Sequence, residues 1–207
     1  MSELGNGPPE MGDFEIGLPD ASAMRNPYSV SLRARRLLWW VAELFLFKAS
    51  FRTMYGWRRW VLRLFGARIG PHVSIQRSAR IEFPWNLEMG ACSSIGEQVW
   101  IYNLGLVEIG SFVTISQRAF LCTGSHDYTR PDMPLITRPI RIDDAAWVAA
   151  DVYVGPGLTV GKGCVVAARS VVVKDLPAGM VCAGHPCRAI KPRLPPSPPT
   201  DPGTPGH

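Results

Sequence analysis

No run of eighteen apolar residues occurs in these 207 residues. The longest candidate, residues 37–47, carries Glu43 and is too short to span a bilayer. Cysteine is scarce and odd in number, five in all without a CxxC spacing, which argues against a disulfide frame and for reduced thiols in a cytosol. The four histidines, His72, His126, His185 and His207, include no HxxxxH pair, so no metal site is expected. No serine or cysteine occupies a nucleophile elbow. The opening MSELGNGPPEMGDFEIG contains acids and lacks a hydrophobic segment, so no secretory signal is expected. The net charge is +5, yet neither a helix-turn-helix nor an aromatic-interleaved strand accompanies it, and nucleic acid is not an expected partner.

What the chain does have is a period of six. Fifteen hexads open on Ile69, Ile75, Ile81, Met89, Ile95, Ile101, Ile109, Ile115, Leu121, Ile142, Val148, Val154, Val160, Val166 and Val172. Two short slips, at Leu87-Glu88 and Val107-Glu108, and one long excursion, residues 127–141, divide the count into multiples of three. With 46% of the chain hydrophobic, chance would fill fifteen such slots with odds of about 10⁻⁵, so the pattern is structural. Six fits neither a helix nor a simple strand. It suits a chain that turns a corner every six residues and sends one aliphatic side chain inward each time. Glycine often follows the opener, where a tight corner favours a residue without Cβ. Four places on, Val73, Ala79, Ser93, Val99, Val113, Ala119, Ser125, Ala146, Val152, Cys164 and Ser170 are small or apolar and could share the interior. Three corners close a triangular coil, so five coils are expected, stacked at ~4.8 Å into a prism.

The runs IGPHVS, IGEQVW, IGSFVT, VGPGLT and VGKGCV resemble the hexapeptide-repeat acyltransferases. The likeness covers about residues 67–190 and is nearest the sugar O-acetyltransferase branch, with PWNLEMG, VWIYNLG and ISQRAFLCTGSHDYT similar to its exopolysaccharide (colanic acid) members. The resemblance implies a left-handed parallel β-helix with a helical appendage, acetyl-CoA as co-substrate, and transfer of acetyl to a sugar hydroxyl. It also implies a homotrimer whose sites lie between neighbouring helices, and an acceptor that is a sugar or lipid-linked oligosaccharide, handled in the cytoplasm. Two alternatives stay open: a non-catalytic β-helical scaffold, and a different acceptor such as a nucleotide-sugar amine or an antibiotic hydroxyl.

Residues 1–24 and the proline-rich 191–207 are expected to be disordered. Residues 25–66, rich in tryptophan and arginine, are expected to be helical, with Ser31 as a cap and a second helix from roughly Tyr55 to Leu64 that sets Trp57, Trp60, Val61 and Leu64 on one stripe. This segment could cover the open edge of the first coil, or lie against the inner face of an anionic membrane, where tryptophan and arginine combine well; the two are compatible.

His126 is the expected catalytic residue: it ends the Leu121 hexad where the excursion begins, and imidazole titrates near neutrality. The resemblance makes it the general base and Asn103 an acceptor contact. By position Asp127 could orient the imidazole or touch the acceptor, Trp85 and Trp100 could stack on a sugar face, and Tyr128 and Arg130 open the excursion where an acceptor would lie. The resemblance places coenzyme A along the C-terminal coils, against Trp147, Ala150 and Ala168, with Lys174 and Arg188 toward its phosphates. Cys122 is close to His126 in sequence, but its place beside an opener argues against a nucleophilic role.

Overall fold

The computed structural model describes residues 28–193; the tail expected at 1–24 and most of that at 191–207 lie outside the described residues. The strands Arg68–Ile69, Ser74–Ile75 and Arg80–Ile81 found three faces of a triangular prism, and later strands stack on them in parallel. On the first face Ile69, Met89, Ile109, Ile142 and Val160 align in register. The second aligns Ile75, Ile95, Ile115, Val148, Val166 and Cys182, and the third Ile81, Ile101, Leu121, Val154 and Val172. Every one of the fifteen openers is buried. The five expected coils are present, and Leu176, which bridges Val160, together with Cys182 on the second face adds a partial sixth. Its end is closed by an antiparallel hairpin of Met180–Gly184 with Cys187–Pro192. Residues 191–193, assigned by sequence to the tail, therefore belong to the prism, and Arg193 donates to the Ala145 and Gly163 carbonyls.

The glycines after the openers serve a different purpose from the one expected. Left-handed backbone falls three places after the opener, at His72, Cys92, Gln98, Phe112 and their equivalents. The glycine one place after the opener instead makes room for the next coil: a Cβ on Gly90 would lie 2.5 Å from Ser111 N, and one on Gly161 2.6 Å from Ala178 N. Close stacking, not turn geometry, excludes a side chain there.

The helices α1 (Val30–Ala42) and α2 (Tyr55–Leu64) lie over the first coil, α1 running on as a π-helical turn, Glu43–Lys48. Ser29, not Ser31, caps α1, because Ser29 holds the extended backbone that lets its hydroxyl accept from Leu32 N. Of the stripe expected on α2, only Val61 leaves it. Arg58, Val61 and Leu62 face inward, whereas Trp57, Trp60 and Leu64 face out. The reason lies in the coil beneath, whose edge carbonyls have no coil above to donate to them. Arg58 Nε donates to Ile75 O at 2.6 Å, Arg59 to Val73 O at 2.7 Å, Arg63 to Ile69 O, and the Trp39 indole to Ile81 O at 2.7 Å. Arg58 is completely buried, and its other nitrogens donate to Ser50 Oγ, Phe51 O and Arg52 O. Long donors on α1 and α2 thus finish the ladder that the coils begin.

Candidate active site

All three breaks in the period fall at one corner, between the third face and the first. The chain leaves Ile81, Ile101 and Leu121 and returns at Met89, Ile109 and Ile142. Phe83, Asn103 and Thr123 stand twenty residues apart at this corner, and all three are buried. They form a pedestal. Asn103 Oδ1 accepts from Phe83 N at 3.0 Å, and its Nδ2 donates to Phe83 O at 2.6 Å. Thr123 Oγ1 donates to Tyr102 O and accepts from Gly105 N. Asn86 Nδ2 donates to the Asn103 and Leu104 carbonyls. Asn103 was expected at the acceptor; its amide is instead consumed inside the corner, where an unmatched polar group would be costly.

On this pedestal the third coil runs straight on. Gly124–His126 pairs antiparallel with Leu135–Thr137, so the excursion opens as a hairpin rather than a loose loop. Ser125, expected inside, is half-exposed because it lies on this hairpin. His126 is exposed at its end, and its Nδ1 lies 2.6 Å from the Met133 carbonyl. A carbonyl can only accept, so in neutral imidazole the proton sits on Nδ1 and the Nε2 lone pair is free. Met133 holds left-handed backbone, with φ of 38°, and turns its carbonyl toward the ring.

Asp127 was expected beside the acceptor or the imidazole, but its carboxylate accepts from the Thr129 hydroxyl and amide, which hold it below the usual carboxylate range. Arg130 forms a two-pronged pair with Asp132. Tyr128, at the tip, is 85% exposed. Trp100, a candidate sugar platform, has its ring between the Arg80 guanidinium, 4.6 Å from its centroid, and Phe120, stacked at 4.8 Å; its faces are already covered. Trp85 is likewise taken, stacked on Phe83 beneath Arg35. The Cys122 thiol donates to Gly124 O. Among the described residues no cluster of His, Cys, Asp or Glu could hold a metal ion.

The residues expected to hold coenzyme A lie along another corner. Two places after each opener of the second face come Arg77, Glu97 and Gln117, then Ala150, Ala168 and Gly184. Long polar side chains in the first half give way to almost none in the second, so this corner presents a strip of small residues, here called the trough, beside the C-terminal coils. Trp147 borders it on the second face, 45% exposed, with its indole donating to Ser116 Oγ at 2.9 Å. Lys174 and Arg188 are exposed near the same end. Within one chain, then, His126 and the trough occupy different corners.

No family model matches the chain. Over 157 residues it is 45% identical to the colanic acid biosynthesis acetyltransferase WcaF of Escherichia coli strain K12, a span of 76% of this chain and 86% of that one. The chain belongs to the hexapeptide-repeat acetyltransferases. The galactoside O-acetyltransferase of E. coli is 31% identical over 127 residues, 57% of this chain and 63% of that one. The hexapeptide-repeat acetyltransferase VCA0836 of Vibrio cholerae, solved with acetyl-CoA, superposes with a TM-score of 0.74 at 25% identity, covering 89% of this chain and all of that one.

In this hexapeptide-repeat acetyltransferase the corner that carries His126 rests on the insertions in the two coils below it. Sequence reasoning read the slips and the excursion as separate events and missed the pedestal. The signal was there in the twenty-residue spacing of Phe83, Asn103 and Thr123. Met133 left no comparable trace, because it acts through a backbone carbonyl.

Proposed function

We propose that this acetyltransferase moves an acetyl group from acetyl-CoA to a sugar hydroxyl, in exopolysaccharide or lipid-linked oligosaccharide assembly in the cytoplasm, with His126 as general base. The observation that carries the reading is the Met133 carbonyl at His126 Nδ1, which leaves Nε2 unprotonated and facing outward. Nε2 takes the proton of the acceptor hydroxyl as its oxygen attacks the thioester carbonyl. When the tetrahedral adduct collapses, the C–S bond breaks and the proton passes from Nε2 to the departing sulfur. The charge that forms on the imidazole is stabilised by Met133 O, which accepts from Nδ1–H in both protonation states. No side chain becomes acylated.

The trough at Ala150, Ala168 and Gly184 fits a slender thioester arm, with Trp147 along its side and Lys174 and Arg188 placed for phosphates. Because trough and base occupy different corners of one chain, the reading includes a homotrimer in which one subunit's trough meets a neighbour's His126. Coenzyme A release from acetyl-CoA, measured across a panel of mono- and oligosaccharides, tests it. Acceptor-dependent release should fall by about two orders of magnitude or more in His126→Ala, as for a lost general base. Release that persists in the variant would exclude His126 from that role.

A further inference from the structure

The two helices over the first coil are apolar on the side that faces away from it. On α1 and its π-helical continuation, Leu37, Leu38, Val41, Leu44 and Phe45 are exposed, Leu38 at 64% and Phe45 at 67%. On α2 the outward stripe is Trp57, Trp60 and Leu64. The two stripes are joined: the Trp57 indole donates to Leu46 O at 2.7 Å, its ring lies 5.0 Å from that of Trp60, and Phe51, between the helices, is 79% exposed. Single exposed apolar residues are ordinary, but a continuous surface of this composition marks a binding face.

Its charge says what it binds. Residues 28–66 hold eight arginines and lysines against one acid, Glu43, a net of +7 when the whole chain carries +5. Among the described residues, carboxylates pair with only Arg36, Lys48 and Arg52 of these. Arg58, Arg59 and Arg63 donate to coil carbonyls beneath the apolar stripe and add unpaired positive charge behind it, while Arg33 and Arg35 on α1 are exposed and, among the described residues, meet no carboxylate. A face this positive repels a second copy of itself and attracts an anionic surface. No helix among the described residues is long and apolar enough to cross a membrane, so the face would lie on a bilayer rather than through it.

We propose that this face docks the protein on anionic phospholipid, with the apolar side chains of α1 and α2 seated at the headgroup boundary and the exposed Arg33 and Arg35 reaching its phosphates. The surface is independent of the acceptor assigned above. It would hold the end of the prism that begins the coils toward the bilayer, with the His126 corner two coils further out.

The test is sedimentation of the full chain with vesicles, either phosphatidylglycerol mixed with phosphatidylethanolamine or phosphatidylcholine alone. It compares wild type with the combined variant Leu38→Glu, Phe45→Glu and Trp60→Glu, whose positions are exposed and outside the catalytic corner. Wild type should bind the anionic vesicles at least tenfold more tightly than the neutral ones, and lose that preference in 0.5 M salt, on the order expected from charge screening. The variant should bind anionic vesicles at least tenfold more weakly while retaining wild-type circular dichroism and acetyl-CoA binding. Equal binding by wild type and variant, or by anionic and neutral vesicles, overturns the proposal. So does a variant whose oligomer dissociates in light scattering while vesicle binding is unchanged, since a second copy would then cover the face. A failure of acetyl-CoA binding in wild type would count against the enzymatic reading alone.

Discussion

Replacing Gly90 with alanine should damage this fold more than its one methyl group suggests. The added Cβ would sit 2.5 Å from both Ser111 N and Ser111 Oγ, and 2.6 Å from Gly110 C. Ordinary contact begins at 3.4 Å, so the third coil would have to lift by roughly 0.9 Å at this corner to relieve the overlap. Gly90 N donates to Ile109 O at 2.7 Å, and a lift of that size would take the bond to about 3.6 Å, beyond hydrogen-bonding range. Losing that bond costs about 1 kcal/mol and the residual crowding about 2 more, a total near 3 kcal/mol. For a chain of this size that corresponds to a fall in Tm of about 6–12 °C. Two companion variants separate crowding from backbone preference. Gly155→Ala meets nothing closer than Val172 O at 3.4 Å and should be neutral or stabilising by about 0.5 kcal/mol, because alanine has fewer unfolded conformations to lose. Gly163 lies in open space but at φ +66°, so its alanine variant should lose only about 1 kcal/mol. Melting all three by circular dichroism, at one concentration and one scan rate, gives the order directly. Gly90→Ala melting within about 2 °C of Gly155→Ala would refute the argument that coil stacking excludes side chains there.

Arg58→Met should cost about 3 kcal/mol or more in a denaturant titration, because Ile75 O, Phe51 O and Arg52 O lose their donors. Arg58→Lys should recover less than half of that loss, since one ammonium cannot serve carbonyls on separate elements. The Glu43 carboxyl is buried against Lys48 Nζ at 3.2 Å, and burial raises its pKa above the ordinary value of 4.5. Folding therefore favours its protonated form, and the stability tied to that proton is lost as pH rises through the raised value. Glu43→Gln should accordingly stabilise the protein more at pH 8 than at pH 5, and an equal gain at both would contradict this. Burial pushes the Cys164 thiol up to about 12 and raises that of Cys187, whereas Cys92 is exposed. Mass spectrometry after iodoacetamide treatment at pH 8 should find Cys92 alkylated first and Cys164, Cys182 and Cys187 untouched until the chain unfolds.

The coils were legible in the linear chain because each opener repeats the same local event. An aliphatic residue every six positions needs no knowledge of distant contacts, and all fifteen openers are buried. The place of His126 was legible for a related reason: it stands where the period stops. The helices were harder. Periodicity located α2 but did not say which of its faces meets the coils, because apolar spacing ignores the carbonyls that an unpaired coil edge exposes. Arg58 is buried there as a donor, at a position where charge alone would place it outside. Asn103 and Asp127 were assigned to the acceptor from their sequence positions, but their partners, Phe83 and Thr129, became visible only with the corner assembled.

The sequence by itself determined the period, and with it the prism, its buried aliphatic columns and the place of the corner that carries His126, since each depends on residues within one or two coils. Tertiary structure alone decided which nitrogen of His126 is free, which face of α2 meets the coils, and that an apolar, arginine-rimmed surface remains uncovered. Those outcomes rest on backbone carbonyls, at Met133, Ile75 and Val73. Every residue carries a carbonyl, so its direction cannot be read from side-chain identity.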